Sequence, residues 1–187
     1  MANKDAAFGL RPIGKVGQNR DAQGLSEYDI AASASAIYFN DPVEILSTGT
    51  IGVAAATDAL LGSLTGVFFT DATTSKPTFA NHLNASNTAT DIVGFVSDDP
   101  YQRFEIQSDG ATEATDVGQN ADIVYAAGSS PDFVSKVELD ESDHKDGSAQ
   151  LRIIGISKDP ENNTAGSANV NLVVIINEHQ LKQTTGI

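Results

Sequence analysis

Apolar positions along this chain fall in short clusters, and their spacing predicts strands. Ala36–Phe39, Val43–Leu46, Ile51–Ala55, Leu64–Phe69, Ile92–Ser97, Tyr101–Gln107, Ile123–Ala126, Phe133–Leu139, Leu151–Ile156 and Val170–Ile176 each run four to seven residues and favour β-branched and aromatic side chains. Turn-forming stretches separate them, among them STGT, TTSKP, SDDP, SDG, GSSPD and KDPENNTAG. In Tyr101–Gln107, Phe104 and Ile106 fall on one face and Arg103 and Glu105 on the other, which predicts one wet face. Leu172–Ile176 is apolar without a break, the pattern of a central strand or of one covered on both faces, for example by another subunit. Helix is scarce: Asp58–Leu64 and Val117–Asp122 could each make one turn, and Gly62 and Gly118 argue against more. Many short strands in this rhythm predict an all-β fold, a sandwich or barrel of short antiparallel strands.

The first 24 residues differ from the rest. Gly9, Pro12, Gly14, Gly17 and Gly24 interrupt them and no period is sustained, so residues 1–24 read as an extended N-terminal arm and residues 25–187 as the β-rich body. Charge divides at nearly the same place. Residues 1–20 hold Lys4, Arg11, Lys15 and Arg20 against Asp5, a net +3, and the remainder holds seven basic against 24 acidic residues, a net −17. A basic arm with apolar anchors predicts a segment that lies along a partner, with Phe8, Leu10, Arg11, Pro12 and Ile13 as its binding residues. Pro12 stiffens this stretch and biases Arg11 towards extended backbone. On that reading, a chain without residues 1–20 should keep a folded body.

Composition removes whole classes of function. At 187 residues, 40% hydrophobic and 19% charged, the chain is too apolar and too weakly charged to stay disordered, and its length suits one domain. A net charge of −14 repels phosphate backbones, and eight Phe and four Tyr without Trp offer little stacking surface, so nucleic acid is not an expected partner. The longest apolar runs fall far short of the roughly 20 residues that cross a bilayer, so no membrane partner is expected. MANKDAAFGLRP lacks the apolar stretch of a secretory signal. Without cysteine there are no disulfides and no thiolate metal sites.

The candidate chemistry is thin. His82, His144 and His179 lie in three separate regions with no second histidine at ligand spacing, and GxSxG does not occur. The run Asp140–Gly147 has the composition of a calcium loop without its alternating oxygen ligands and closing Glu, and it reads as a solvated hairpin loop. Asp98 and Asp99 are adjacent and precede Pro100, which suits a turn rather than two carboxylates flanking a scissile bond. GKVGQ at 14–18 lacks the spacing of a phosphate loop. The Asn84 and Asn162 sequons read as chance matches. The expectation is therefore a protein that is not an enzyme and takes no cofactor or metal.

Several stretches carry a resemblance. Phe8-Gly9-Leu10-Arg11-Pro12-Ile13 and Asp41-Pro42-Val43 are followed in order by GVFFTDATTSKPTF (66–79), IVGFVSDDPYQRFEIQSDG (92–110), DVGQNADIV (116–124), LRIIGISKDPENNTAG (151–166) and VVIINEHQL (173–181). Together they resemble a group of small tailed-bacteriophage virion proteins described as structural or decoration proteins. The likeness covers most of residues 8–181 and contains no catalytic motif. Relatives often carry Trp after the KPxF segment, where this chain has Ala80-Asn81-His82-Leu83. The resemblance implies a capsid decoration (cement) protein, made in the host cytoplasm and bound outside the major capsid shell of the virion, with the major capsid protein and its own copies, as a homotrimer, for partners. A tail-tube or head–tail connecting subunit is the alternative among virion proteins. A carbohydrate-binding β-sandwich, which would need Tyr28, Tyr38, Tyr101 or Tyr125 exposed, is the alternative outside them.

Overall fold

The computed structural model describes residues 2–17, 24–145 and 147–183. It is all-β and sandwich-like, with twelve strands in two antiparallel sheets of six. The first sheet takes β1 (Arg11–Lys15), β8 (Gln102–Gln107), β9 (Asn120–Val124), β10 (Glu138–Lys145), β11 (Leu151–Ile156) and β12 (Asn171–Ile176), in the order β1-β8-β12-β11-β9-β10. The second takes β2 (Ser26–Asp29), β3 (Pro42–Ile45), β4 (Ile51–Val53), β5 (Gly62–Thr70), β6 (Pro77–Ala80) and β7 (Val93–Ser97), in the order β2-β7-β5-β3-β4, with β6 paired to β5. Residues 26–97 thus build one sheet and residues 102–176 the other, and β1 leaves its sequence neighbours to pair with β8.

Each sheet buries one face in its own apolar cluster. Phe104, Ile106, Ile123, Leu151, Ile153, Leu172, Val174 and Ile176 form the first cluster, and Val43, Ile51, Leu64, Val67 and Val96 lie in the second. Alternation along the strands selects these residues, since successive side chains point to opposite faces. The halves are joined by polar side chains acting on backbone. The Gln150 amide donates to the carbonyls of Ala55 (2.8 Å) and Asp58 (2.7 Å), and Gln180 accepts from the Ile45 N–H (2.7 Å) and donates to the Ile45 carbonyl (3.1 Å). Leu60 of the second half is fully buried in the cluster of the first.

The continuously apolar segment is β12, and it lies centrally between β8 and β11. Other elements fall differently from expectation. No helical turn forms at Asp58–Leu64 or Val117–Asp122, because β5 begins at Gly62 and β9 at Asn120; single 3₁₀ turns occur instead at Ala114–Asp116 and Gln180–Lys182. The stretch expected as a solvated loop from Asp140 is largely strand, for β10 runs from Glu138 to Lys145 against β9. Phe133–Leu139 is mostly irregular, with the isolated Phe39–Val134 bridge before β10 begins at Glu138. The face of β8 expected to be wet is only partly so: Arg103 is half-buried, and Glu105 is 6% exposed, its carboxylate held by Arg11 and by the Ser157 hydroxyl.

The first residues are extended, yet they lie along their own body. Asn3 is buried and its amide donates to the carbonyls of Thr164 and Ala168, both at 3.0 Å, while Ala6 N–H donates to Gln107 Oε1 at 2.9 Å. Arg11–Lys15 then becomes β1. Leaving out residues 1–20, expected to leave the body folded, would remove the edge strand β1 and the core residue Leu10. Residues 18–23 of the predicted arm lie outside the described residues.

Candidate interaction surfaces

The five residues expected to bind a partner divide. Leu10 is fully buried within the first core cluster and offers no surface to a neighbour. Phe8 is half-buried beneath the Arg11 guanidinium, which stands 4.4 Å from the ring centroid. Arg11 is exposed and pairs with Glu105, Pro12 is half-buried opposite Phe104, and Ile13 is 44% exposed at the irregularity of β1. The leader's charge is also used internally. Among the described residues the two ion pairs are Arg11–Glu105 and Lys15–Asp99 (2.6 Å), both made by this segment with its own body. Lys15, with the Tyr101 N–H, holds the Asp99 carboxyl below the usual range.

No grouping of three or more His, Cys, Asp or Glu suited to a metal is present among the described residues. His82 stacks on Phe133 with centroids 3.9 Å apart and an interplanar angle of 1°. His179 is buried; burial chiefly, with Lys182 adding to it, pushes its imidazole down to about 4, and its Nδ1 accepts from the Leu181 N–H at 3.1 Å. The side chain of His144, like residue 146 of the acidic run, lies outside what is described. Asp98 and Asp99 diverge: Asp98 accepts from the Tyr28 hydroxyl at 2.7 Å and Asp99 turns to Lys15. The Asn162 amide is 5% exposed and donates to the carbonyls of Lys4 (2.7 Å) and Asn169 (2.9 Å), which leaves it no room for a glycan. Asp41 is fully buried, with Oδ2 accepting from the Tyr38 N–H at 2.7 Å and Oδ1 unpartnered; burial pushes its carboxyl up to about 6.

The outer face of the second sheet carries a feature that sequence reading missed. Strand register aligns Phe79 of β6 with Phe68 of β5, Phe68 with Val93 of β7, and Val93 with Asp29 of β2, one row across four strands. Phe95 lies beside it, opposite Glu27 and opposite Gly66. Phe79 is 74% exposed; its ring is 4.7 Å from Phe68 and 6.3 Å from Phe95, centroid to centroid. Phe69, one residue from Phe68, packs instead against the core, as strand alternation requires. The signal was the pair Phe68-Phe69, since two adjacent aromatics in a strand must place one ring on each face. With Phe68, Val93 and Phe95 half-buried beside the exposed Phe79 and with Glu27 and Asp29 exposed at the rim, this is an apolar patch of the kind found at interaction surfaces and ligand-binding grooves.

Compared with protein-family models, with curated proteins and with solved structures, the chain matches none.

Proposed function

We propose that this chain is a structural protein of a tailed-bacteriophage virion, a decoration protein bound to the outside of the major capsid shell. The observation that carries the reading is the ordered set of resembling segments from Phe8 to Leu181. Support comes from where those segments lie. Phe8-Gly9-Leu10 packs on Asn40 beside Asp41-Pro42, GVFFT is the aromatic strand β5, and VVIIN lies within and just beyond the central strand β12, so the segments hold packing positions. A protein of this kind acts through contact area. Each bound copy adds its binding free energy to the assembled shell, about 2.7 kcal/mol when free protein stands at a hundred times the dissociation constant. Many equivalent contacts on one shell reinforce one another. The partners are the major capsid protein and sister copies, arranged as a homotrimer.

Incubating the purified chain with expanded empty shells and pelleting them tests the reading. Saturable co-sedimentation and a raised shell-disruption temperature are expected. A chain that stays in the supernatant and polymerises into tubes would instead make it a tail-tube subunit.

A further inference from the structure

The first sheet carries a row that answers the aromatic one. Arg103 of β8 pairs with Ile175 of β12, Ile175 with Arg152 of β11, and Arg152 with Asn120 of β9. Val173 lies on the same face, two residues along β12. Leu172, Val174 and Ile176 of this strand are buried in the core, whereas Val173 and Ile175 are only half-buried, although the strand is central. Their face is therefore incompletely covered by the chain itself. Arg152 is exposed; its Nε donates to Asn120 Oδ1 at 2.9 Å and a terminal nitrogen to Asn177 Oδ1 at 3.0 Å, neutral partners that leave its charge unbalanced. Arg103 Nε has no partner. Across the molecule, Glu27 and Asp29 are exposed beside Phe95 and Val93. None of these four charged residues enters either ion pair of the described chain.

We infer that the Phe79–Phe68–Val93–Asp29 row of one copy docks on the Arg103–Ile175–Arg152 face of a second copy. The two faces are complementary in charge and alike in extent. Both have an apolar centre, one with an acidic rim and the other with a basic one. Both rows cross four strands, about 14 Å at the usual strand spacing. Guanidinium groups stack on aromatic faces while pairing with carboxylates, which suits arginine to this role better than lysine. The chain already uses this contact within itself, where Arg11 stands over Phe8 at 4.4 Å. Because the two patches differ, the contact is heterologous: it repeats from copy to copy, and builds a ring where its rotation closes and an open filament where it does not. It depends on the two faces alone and not on the virion reading.

Sedimentation velocity on two variants and their mixture tests this. Phe79→Glu blocks the aromatic face and Arg152→Glu the basic one, and both positions are exposed, so both variants should keep the wild-type circular dichroism spectrum and a cooperative melt. Phe79→Ser serves in place of Phe79→Glu if that variant misfolds. The wild type should sediment as an oligomer at micromolar concentration, and each variant alone as a monomer, associating at least tenfold more weakly. An equimolar mixture should form dimers and nothing larger, because only one pair of intact faces remains. A monomeric wild type, a folded variant that assembles like the wild type, or a mixture that forms no dimer would overturn the inference.

Discussion

The N–H of Leu10 donates to the carbonyl of Asn40 at 2.9 Å, and the Asn40 amide donates back to the carbonyl of Phe8 at 3.1 Å. This reciprocal clasp joins the start of the chain to the turn before β3. Gly9 sits inside it with φ +74°, where a Cβ would collide with the Asn40 carbonyl and the Ser135 side chain. Gly9→Ala should therefore destabilise the fold by more than about 2 kcal/mol, combining steric conflict with left-handed backbone strain. Leu10→Ala should cost about 2–5 kcal/mol as a core truncation, while Ile13→Ala, at an exposed position, should cost under about 1 kcal/mol. Urea unfolding of the three variants measures all of this.

The second fastening of the N-terminal segment is polar. Asn162 donates to the Lys4 and Asn169 carbonyls and accepts from the Lys4 N–H at 3.1 Å. Asn162→Ala leaves these backbone groups unpaired at a nearly closed site, which should cost about 2–4 kcal/mol. Hydrogen exchange should quicken at the Lys4 amide, and unchanged protection there would contradict the assignment.

The aromatic row should matter little to folding. Phe79→Ala is expected to change stability by less than about 1 kcal/mol, whereas Phe104→Ala in the core should cost about 3–5 kcal/mol. Thermal or urea melts of the pair compare them directly. Equal losses would mean that the exposed ring is a structural element rather than a contact.

Two buried groups act against each other as pH falls. Asp41, at about 6 in the folded chain against an ordinary 3.8, takes up its proton more readily folded than unfolded, so its contribution improves as pH falls from above 6 towards 4. His179, at about 4 against an ordinary 6.5, is protonated first in the unfolded chain, so its contribution is lost over nearly the same range. Each is worth on the order of 3 kcal/mol. Asp71, Asp91 and Asp99 are held below their ordinary range and act at lower pH, while Glu44 and Glu138, raised by burial, side with Asp41. Relative to the wild type, Asp41→Asn should be more stable at pH 7 and lose that advantage by pH 4. His179→Gln should instead improve relative to the wild type as pH drops from 6.5 to 4. Stability measured against pH for the three proteins would reveal both slopes.

The fold class was legible because strand alternation and turn chemistry are local. β11 carries its bounds in the sequence, and β3, β5, β7, β8 and β12 are placed within two residues. Three strands were hidden, each for a physical reason. β1 contains Pro12 and Gly14 and is a strand only because β8 supplies its partner. β2 and β6 are four residues each, with Glu27, Asp29 and Pro77 diluting the apolar pattern. The acidic run lies within β10, which pairs with β9 at its two ends, Glu138–Leu139 and His144–Lys145, with a register shift across the residues between, a long-range arrangement that local charge does not reveal. The aromatic row was invisible because it is assembled from register, with residues from β2, β5, β6 and β7 that no local window contains. Charge alone could not place the partners of the N-terminal segment: its basic residues suggest a segment lying along a partner, and Glu105 and Asp99 of the same chain receive two of them.

Image reconstruction of assembled virions tests the proposed function most directly. Density of this fold is expected on the outer surface of the capsid shell, at repeated sites where copies contact the major capsid protein and one another. Density of this fold in the tail tube or at the head–tail junction, or a virion with no copy of the chain, would contradict it.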